Sequence, residues 1–196
     1  MKALVVVAHP DDELIWMGGF ILKNPDWNWT IVSLCRRDDE DRRPKYEKVC
    51  RMLGADEFNI SDLDDENIEQ KVSEEEIEQR LFNMIKDKKY DYVFTHGSNG
   101  EYGHTRHRDI NKAMMSFIRE GKITCKRIFC FNYMRRGNGC VHNKRSSQLV
   151  RLSKVELQKK KDLIMKVYGF PKGGFEELSC GDTESFRIRY IKKVTA

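Results

Sequence analysis

The 196-residue chain predicts an α/β fold, a Rossmann-like three-layer αβα arrangement around a mainly parallel sheet. Three observations predict it. Short apolar, β-branched runs alternate with segments of helical period, and a βαβα order argues parallel strands with helices on both faces. Two of those runs lead straight into clusters of histidine and carboxylate, as expected where ligands gather at the carboxyl ends of strands in open α/β sheets. The length suits one domain, residues 1–196, with no internal repeat, linker or low-complexity tract.

The opening run, residues 3–7 (Ala-Leu-Val-Val-Val), is a short buried strand ended by charge and proline. Residues 14–23 follow as a helix, in which Gly18 and Gly19 allow close packing, and Asn24-Pro25 stops it. Residues 29–35 form a second strand, then a charged loop covers 36–43. Pro44 suits the first turn of the next helix, whose Val49, Cys50 and Leu53 share a face and which ends at Gly54. Residues 58–60 make a short third strand, and the acidic stretch 61–72 reads as a surface connection.

Ser73 with Glu76 is a capping-box signature for a helix carrying Ile77, Leu81, Met84 and Ile85 at helical spacing. Residues 91–95 are the fourth strand, and a helix with Ile110, Ala113, Met114, Phe117 and Ile118 as its stripe runs to about Glu120. Residues 127–133 are the fifth strand. The glycine-, asparagine- and arginine-rich segment 135–147 reads as a mobile loop. Ser153 with Glu156 caps a helix running to Tyr168, stopped by Gly169 and Pro171, and residues 186–191 alternate as a final edge strand.

Charged residues make up 34% and hydrophobic ones 39%, but the apolar residues are clustered rather than diluted, which argues a globule over disorder. The net charge of +5 is mild. It fits an anionic small substrate or a weak nucleic-acid contact and proves neither. No apolar run is long enough to span a bilayer, and the few apolar residues before His9 are too short for a signal-peptide core. Six cysteines without a CxxC pair argue reduced thiols in a cytoplasmic protein, not a disulfide framework or a structural zinc.

The chemistry lies in two motifs. His9-Pro10-Asp11-Asp12-Glu13 follows the first strand, and His104-Thr105-Arg106-His107 follows the fourth. His9 and Asp12, three apart on a turn entering a helix, can converge on one point, and His104 and His107 repeat the spacing. Taken alone, the first is also a turn with a helix N-cap, and the second a helix face of no consequence. Together at two strand ends they can supply two histidines and a carboxylate for an open metal site with water in the remaining position, the arrangement of catalytic zinc. Non-haem iron uses similar ligands, so ligand type leaves Zn2+, Fe2+ or another divalent ion open. If His9, Asp12 and His107 hold the metal, Asp11 stands beside it to take a proton from water. His104, if protonated, stabilises an oxyanion. Glu13 suits a dipole or supporting hydrogen-bond role. His96 is open between a site residue and a loop hydrogen-bonder, and His142 reads as an ordinary loop histidine.

These motifs, Ala8-His-Pro-Asp-Asp-Glu13 after the opening strand and Gly-Glu-Tyr-Gly-His104-x-x-His107 after the fourth, resemble those of the LmbE-like (PIG-L) de-N-acetylases. The resemblance covers residues 1–135 and more loosely the rest. It implies a zinc enzyme removing acetyl from an N-acetylglucosamine-type sugar or conjugate, with zinc on His9, Asp12 and His107, Asp11 as general base and His104 polarising the carbonyl. Many members have Pro-Asp between the two late histidines, where this chain has Thr105-Arg106. That difference bears on supporting hydrogen bonds and substrate preference rather than on the ligands.

For the substrate, Arg36 and Arg43 from the loop after the second strand, and Arg135 after the fifth, are candidates to grip an anionic or hydroxyl-rich group. The alternative is a solvated, self-paired loop. Arg43→Ala is expected to raise KM more than it lowers kcat. The glycines at 137–139 suit a loop closing over a sugar. The expected partner is a small-molecule sugar conjugate, with a homo-oligomer allowed and no nucleic acid expected. The basic segments 135–145 and 158–161 belong to no recognisable nucleic-acid module. Two other functions stay open: a metal-dependent amidase or esterase on another small substrate, and a sugar-binding α/β protein without catalysis.

Overall fold

The structure is a computed structural model that describes residues 1–67 and 72–190. Its strands are β1 (Lys2–Val7), β2 (Asn28–Ser33), β3 (Glu57–Ile60), β4 (Tyr92–Thr95), β5 (Arg127–Phe131), β6 (Tyr133–Arg136), β7 (Gly139–His142), β8 (Gln148–Arg151) and β9 (Thr183–Tyr190). The helices are α1 (Asp12–Lys23), α2 (Arg42–Leu53), α3 (Glu74–Met84), a short α4 (Gly100–Gly103), α5 (Thr105–Arg119), α6 (Lys154–Asp162) and α7 (Phe175–Ser179). A π-helical turn, Leu163–Tyr168, continues α6.

Seven strands form the main sheet in the order β3-β2-β1-β4-β5-β9-β8. The first five are mutually parallel, and β9 runs antiparallel to both its neighbours, β5 and β8. β1 is buried between β2 and β4, and its period-2 side chains feed two cores. Ala3, Val5 and Val7 pack with Trp16, Phe20 and Trp29 and with Tyr46 and Val49 of α2. Leu4 and Val6 pack with Ile77 and Leu81 of α3 and Ile110, Met114 and Phe117 of α5. The sheet is thus sandwiched between helical layers, the three-layer arrangement expected.

Several local expectations hold. A Cβ on Gly19 would stand 2.4 Å from a Leu152 methyl, so glycine there permits the close approach of the segment before α6. Ser153 and Glu156 form a reciprocal capping box at 3.3 and 2.7 Å. Ser73 accepts the Glu76 N–H at the start of α3.

Other expectations are corrected. Of the segment 135–147 expected as a loop, the first part belongs to a two-stranded ribbon, β6 with β7, and only 143–147 lie outside it, while Tyr133, expected at the end of the fifth strand, opens β6. The two-residue Gly137-Asn138 connection, with Gly137 at φ 59, gives the chain the reversal a tight hairpin needs. β9 is interior, because β8 covers its outer side and takes the edge. Its buried Glu184 hid the strand's inner half. That carboxylate accepts the Gly19 and Phe20 amides of α1 at 2.7 and 2.6 Å and pairs with buried Lys160 at 2.8 Å. Ile191, expected in this strand, lies outside the described residues. So does part of the acidic stretch 61–72, whose described residues include a buried Leu63 and so do not lie wholly on the surface.

Candidate active site

β1 and β4 are neighbours, but the chain proceeds outward from β1 through β2 and β3 on one side and from β4 through β5 on the other. A crevice opens at the carboxyl ends of such a pair. Both motifs emerge there. Asp11 turns the chain into α1 at φ 124, a left-handed conformation costly for a side chain with a Cβ, and its carbonyl receives the Leu14 and Ile15 amides. This strained turn folds the Asp12 carboxylate back. Its Oδ2 accepts the His9 amide at 2.8 Å, and its Oδ1 accepts the Trp16 indole N–H at 2.7 Å.

His9 Nδ1, Asp12 Oδ2 and His107 Nε2 form a near-equilateral triangle. The separations are 3.2 Å from His9 to Asp12, 3.4 Å from His107 to Asp12 and 3.3 Å between the two histidine nitrogens. A tetrahedral ion with arms of about 2.0–2.1 Å has ligand edges of about 3.3–3.4 Å. Two imidazoles and one carboxylate at these edges fit a divalent cation such as zinc. Two other groups of donors cluster nearby. His96, Glu101 and His107 are joined at 2.9 and 2.6 Å through ring Nδ1 atoms, distances of shared protons rather than of ligands around an ion. His9, Cys35 and Asp65 meet on the other side of the His9 ring, where Asp65 is already bound to Arg36 at 2.8 Å.

Above the triangle lies a cleft of about 320 Å³, lined by Asp11, Arg36, Arg42, Asp65, Tyr102, His104, Phe175 and Glu176 among others. Burial and the adjacent Asp12 push Asp11 well above the usual carboxylate range. Arg42 donates to its Oδ2 at 3.1 Å. Burial opposes ionisation of Asp12, yet His107 and His96 hold it well below that range. Burial disfavours charge on His107 too, but Asp12 and Glu101 outweigh it and raise the ring to about 9. His104 goes the other way. Burial, then His107 and His9, push it down to about 3, so its ring is neutral, and its buried Nδ1 has no hydrogen-bond partner among the described residues. A neutral imidazole polarises a carbonyl by hydrogen bonding rather than by charge.

Glu13 is buried beneath the turn, accepting the Asp11 amide at 3.1 Å and the Tyr168 hydroxyl at 2.6 Å, and burial lifts it to about 7. The structure therefore brings His9, Asp11, Asp12, His104 and His107 together. Of the three arginines proposed for substrate, Arg36 lines the cleft. Arg43 faces away, exposed and paired with Glu47 at 3.1 Å. Arg135 is exposed and is not among the cleft-lining residues, its guanidinium lying 5.4 Å from the centre of the Phe175 ring. His142 lies in β7 and lines a different cavity.

Arg42 belongs to the arginine loop that the sequence offers for substrate, but its place against Asp11 was not foreseen, and sequence reasoning passed over Asp65, Glu101, Tyr102 and the Phe175–Glu176 wall. Glu101 and Tyr102 sat inside the quoted Gly-Glu-Tyr-Gly motif. Asp65 was hidden in the acidic stretch taken for surface, though its carboxylate is 7% exposed and lies 3.3 Å from His9 Nε2. No local pattern announces α7, which is only five residues long.

Fold and site together define an LmbE-like α/β protein with a His-Asp-His triangle that could hold a metal ion at the sheet's switch point. The chain belongs to the PIG-L family: the family profile described as GlcNAc-PI de-N-acetylase matches residues 4–118. It is similar to an uncharacterised protein, L374, of Acanthamoeba polyphaga mimivirus, 29% identical over 128 residues, covering 57% of this chain and 55% of that protein. The chain thus spans about half the length of that curated relative. Among solved structures it resembles the N,N'-diacetylchitobiose deacetylase of Pyrococcus horikoshii, with a TM-score of 0.69 and 19% identity over 99% of this chain and 87% of that one. It also resembles GalB, the 4-carboxy-2-hydroxymuconate hydratase of Pseudomonas putida KT2440, with a TM-score of 0.64 and 14% identity over 100% and 98%. At these identities the likeness establishes the fold.

Proposed function

We propose that residues 1–196 form one de-N-acetylase domain that hydrolyses the acetyl amide of an N-acetylglucosamine-type sugar or conjugate. The observation that carries this reading is the triangle of His9 Nδ1, Asp12 Oδ2 and His107 Nε2, 3.2–3.4 Å on edge, with Asp11 and His104 beside it in one cleft. Family membership supports the acyl chemistry. The cleft's volume, at the lower end of the range for small-molecule sites, supports a small substrate.

His9, Asp12 and His107 are the residues that would hold the ion, zinc by preference with Fe2+ or another divalent metal as alternatives. A divalent cation bound there supplies Lewis acidity, polarising a carbonyl and lowering the pKa of water toward about 7. Asp11 takes a proton from the attacking water, whose oxygen bonds to the acetyl carbon. His104, neutral, polarises the carbonyl oxygen. The carbonyl π pair moves to oxygen as the water oxygen bonds and returns as the C–N bond breaks, the proton passes from Asp11 to the leaving nitrogen, and the amine and acetic acid formed ionise at neutral pH to an ammonium and acetate. Arg42 keeps the Asp11 carboxylate oriented. Arg36 and Arg42 line the cleft and are the cations nearest an anionic aglycone, with Arg135 against the Phe175 ring further out.

The six free cysteines suit a reducing compartment, and we place the enzyme in the cytoplasm. No helix among the described residues is long and apolar enough to cross a membrane. The test is acetate release from a panel of N-acetylglucosamine conjugates, with metal removed by chelation and restored. Metal-dependent release from at least one member is expected. No acetate from any member by metal-loaded protein would defeat the substrate assignment. In that event a second reading applies, a metal-dependent amidase or esterase acting at the same site on another small substrate, because a fold of this kind hosts more than one activity.

A further inference from the structure

Behind the ligand triangle lies a buried polar network that the reaction itself does not use. Its centre is Glu101, 1% exposed and held at φ 56 and ψ −62, a strained conformation for a residue with a Cβ. Its Oε1 accepts the Gly97 amide at 2.7 Å. Its Oε2 meets two imidazoles, His96 Nδ1 at 2.9 Å and His107 Nδ1 at 2.6 Å. The far side of His96 is fixed as well, because its Nε2 accepts the Ala8 amide at 2.9 Å. An accepting Nε2 places the proton of neutral His96 on Nδ1, directed at Glu101. His107 likewise gives Glu101 its Nδ1–H, which leaves the Nε2 lone pair for the triangle. The two rings stack with centroids 3.8 Å apart, and Asn111 of α5 donates to the His96 carbonyl at 2.7 Å.

We propose that Glu101 and His96 are positioning residues that set the tautomer and aim of His107 as a metal ligand and tie it to the end of β1. The inference rests on the metal site proposed above. His9 and His107 are 98 residues apart and come from different elements, so nothing local keeps their nitrogens at ligand distance. The network supplies that link. It runs from the Ala8 amide, next to His9, through His96 and Glu101 to His107. A carboxylate on the outer nitrogen of a ligand histidine also raises its basicity toward the ion. The strain at Glu101 is consistent with this role, since the strained turn is what directs its carboxylate between the two rings.

The experiment reads the metal without any substrate: zinc affinity by competition with a chromogenic chelator, and the visible spectrum of the Co2+-loaded protein. Glu101→Gln, close to isosteric, is expected to weaken zinc binding 10–100-fold and to alter the Co2+ bands. Asn99→Ala is the control. It removes bonds from the same loop to the Tyr133 and Glu101 carbonyls but leaves the carboxylate alone, so affinity and spectrum should match wild type. Should Glu101→Gln not fold, His96→Gln keeps the carboxylate and breaks the link to Ala8, with an expected loss of about tenfold. Wild-type affinity and spectrum in the folded Glu101 variant, or in the His96 variant where that carries the test, would overturn the role. So would an equal loss in Asn99→Ala, which would mark a general loosening of the loop. Zinc binding to neither wild type nor variants would overturn the metal site and this role together, whereas a wild type that binds zinc and releases no acetate would touch only the substrate assignment.

Discussion

Arg42 Nη1 donates to Asp11 Oδ2 across 3.1 Å, and the same guanidinium lies 4.4 Å from the centre of the Phe170 ring. The proposed base is thereby held between its own strained turn and the first residue of α2. A charge-assisted bond of this kind contributes about 1.5–3 kcal/mol.

Arg42→Ala is therefore expected to lower kcat/KM by roughly 10–100-fold, with most of the loss in kcat. Arg42→Lys, which keeps the charge and loses the planar fork, should recover part of it. Steady-state kinetics on any turned-over N-acetyl substrate decide the matter. Unchanged kcat in Arg42→Ala would separate Arg42 from Asp11.

The arginine loop divides by direction. Arg36 lines the cleft and pairs with Asp65, whereas Arg43 points out of it toward Glu47. Arg36→Ala should raise KM several-fold with a smaller change in kcat. Arg43→Ala, expected from the sequence to raise KM, should now leave both constants within about twofold, as for an exposed helix pair contributing about 0.3–0.5 kcal/mol. A KM that rises in Arg43→Ala and not in Arg36→Ala would reverse the geometry.

Arg106 stands where many family members carry the dipeptide Pro-Asp, and it is fully buried. Its Nε donates to the Asp64 carbonyl at 2.6 Å, its Nη2 to the Asn67 carbonyl at 3.0 Å, and its Nη1 pairs with Asp109 at 3.2 Å. It pins to α5 the segment that brings Asp65 against His9. Arg106→Ala leaves buried acceptors unpaired and should destabilise the fold by about 2–4 kcal/mol. That corresponds to a fall in Tm of roughly 5–15 °C, readable by calorimetry. A fall below about 2 °C would mean that the clamp contributes little.

The sequence made the parallel half of the sheet legible because β1, β2, β4 and β5 are buried β-branched or aromatic runs, and such runs have few other uses. The two motifs that meet in the candidate site were legible for the same kind of reason, since His9 with Asp12 and His104 with His107 carry spacing that core packing does not require. The rest was hidden where burial contradicts composition. Glu184 and Lys160 neutralise each other inside the protein and so read as surface. Asp65 looked like one more acid in an acidic stretch, and only Arg106, forty-one residues on in the chain, draws its segment inward. The β6–β7 ribbon was obscured by Arg135 and Arg136, although the Gly137-Asn138 pair was a readable hairpin signal.

The central claim is that His9, Asp12 and His107 together hold one divalent ion. Metal content per chain, measured by mass spectrometry on purified wild type and on His107→Ala after equal exposure to zinc, tests it most directly. The account predicts close to one zinc per chain in wild type and a small fraction of that in the variant. Zinc retained in full by His107→Ala, or no metal in correctly folded wild type, would contradict it.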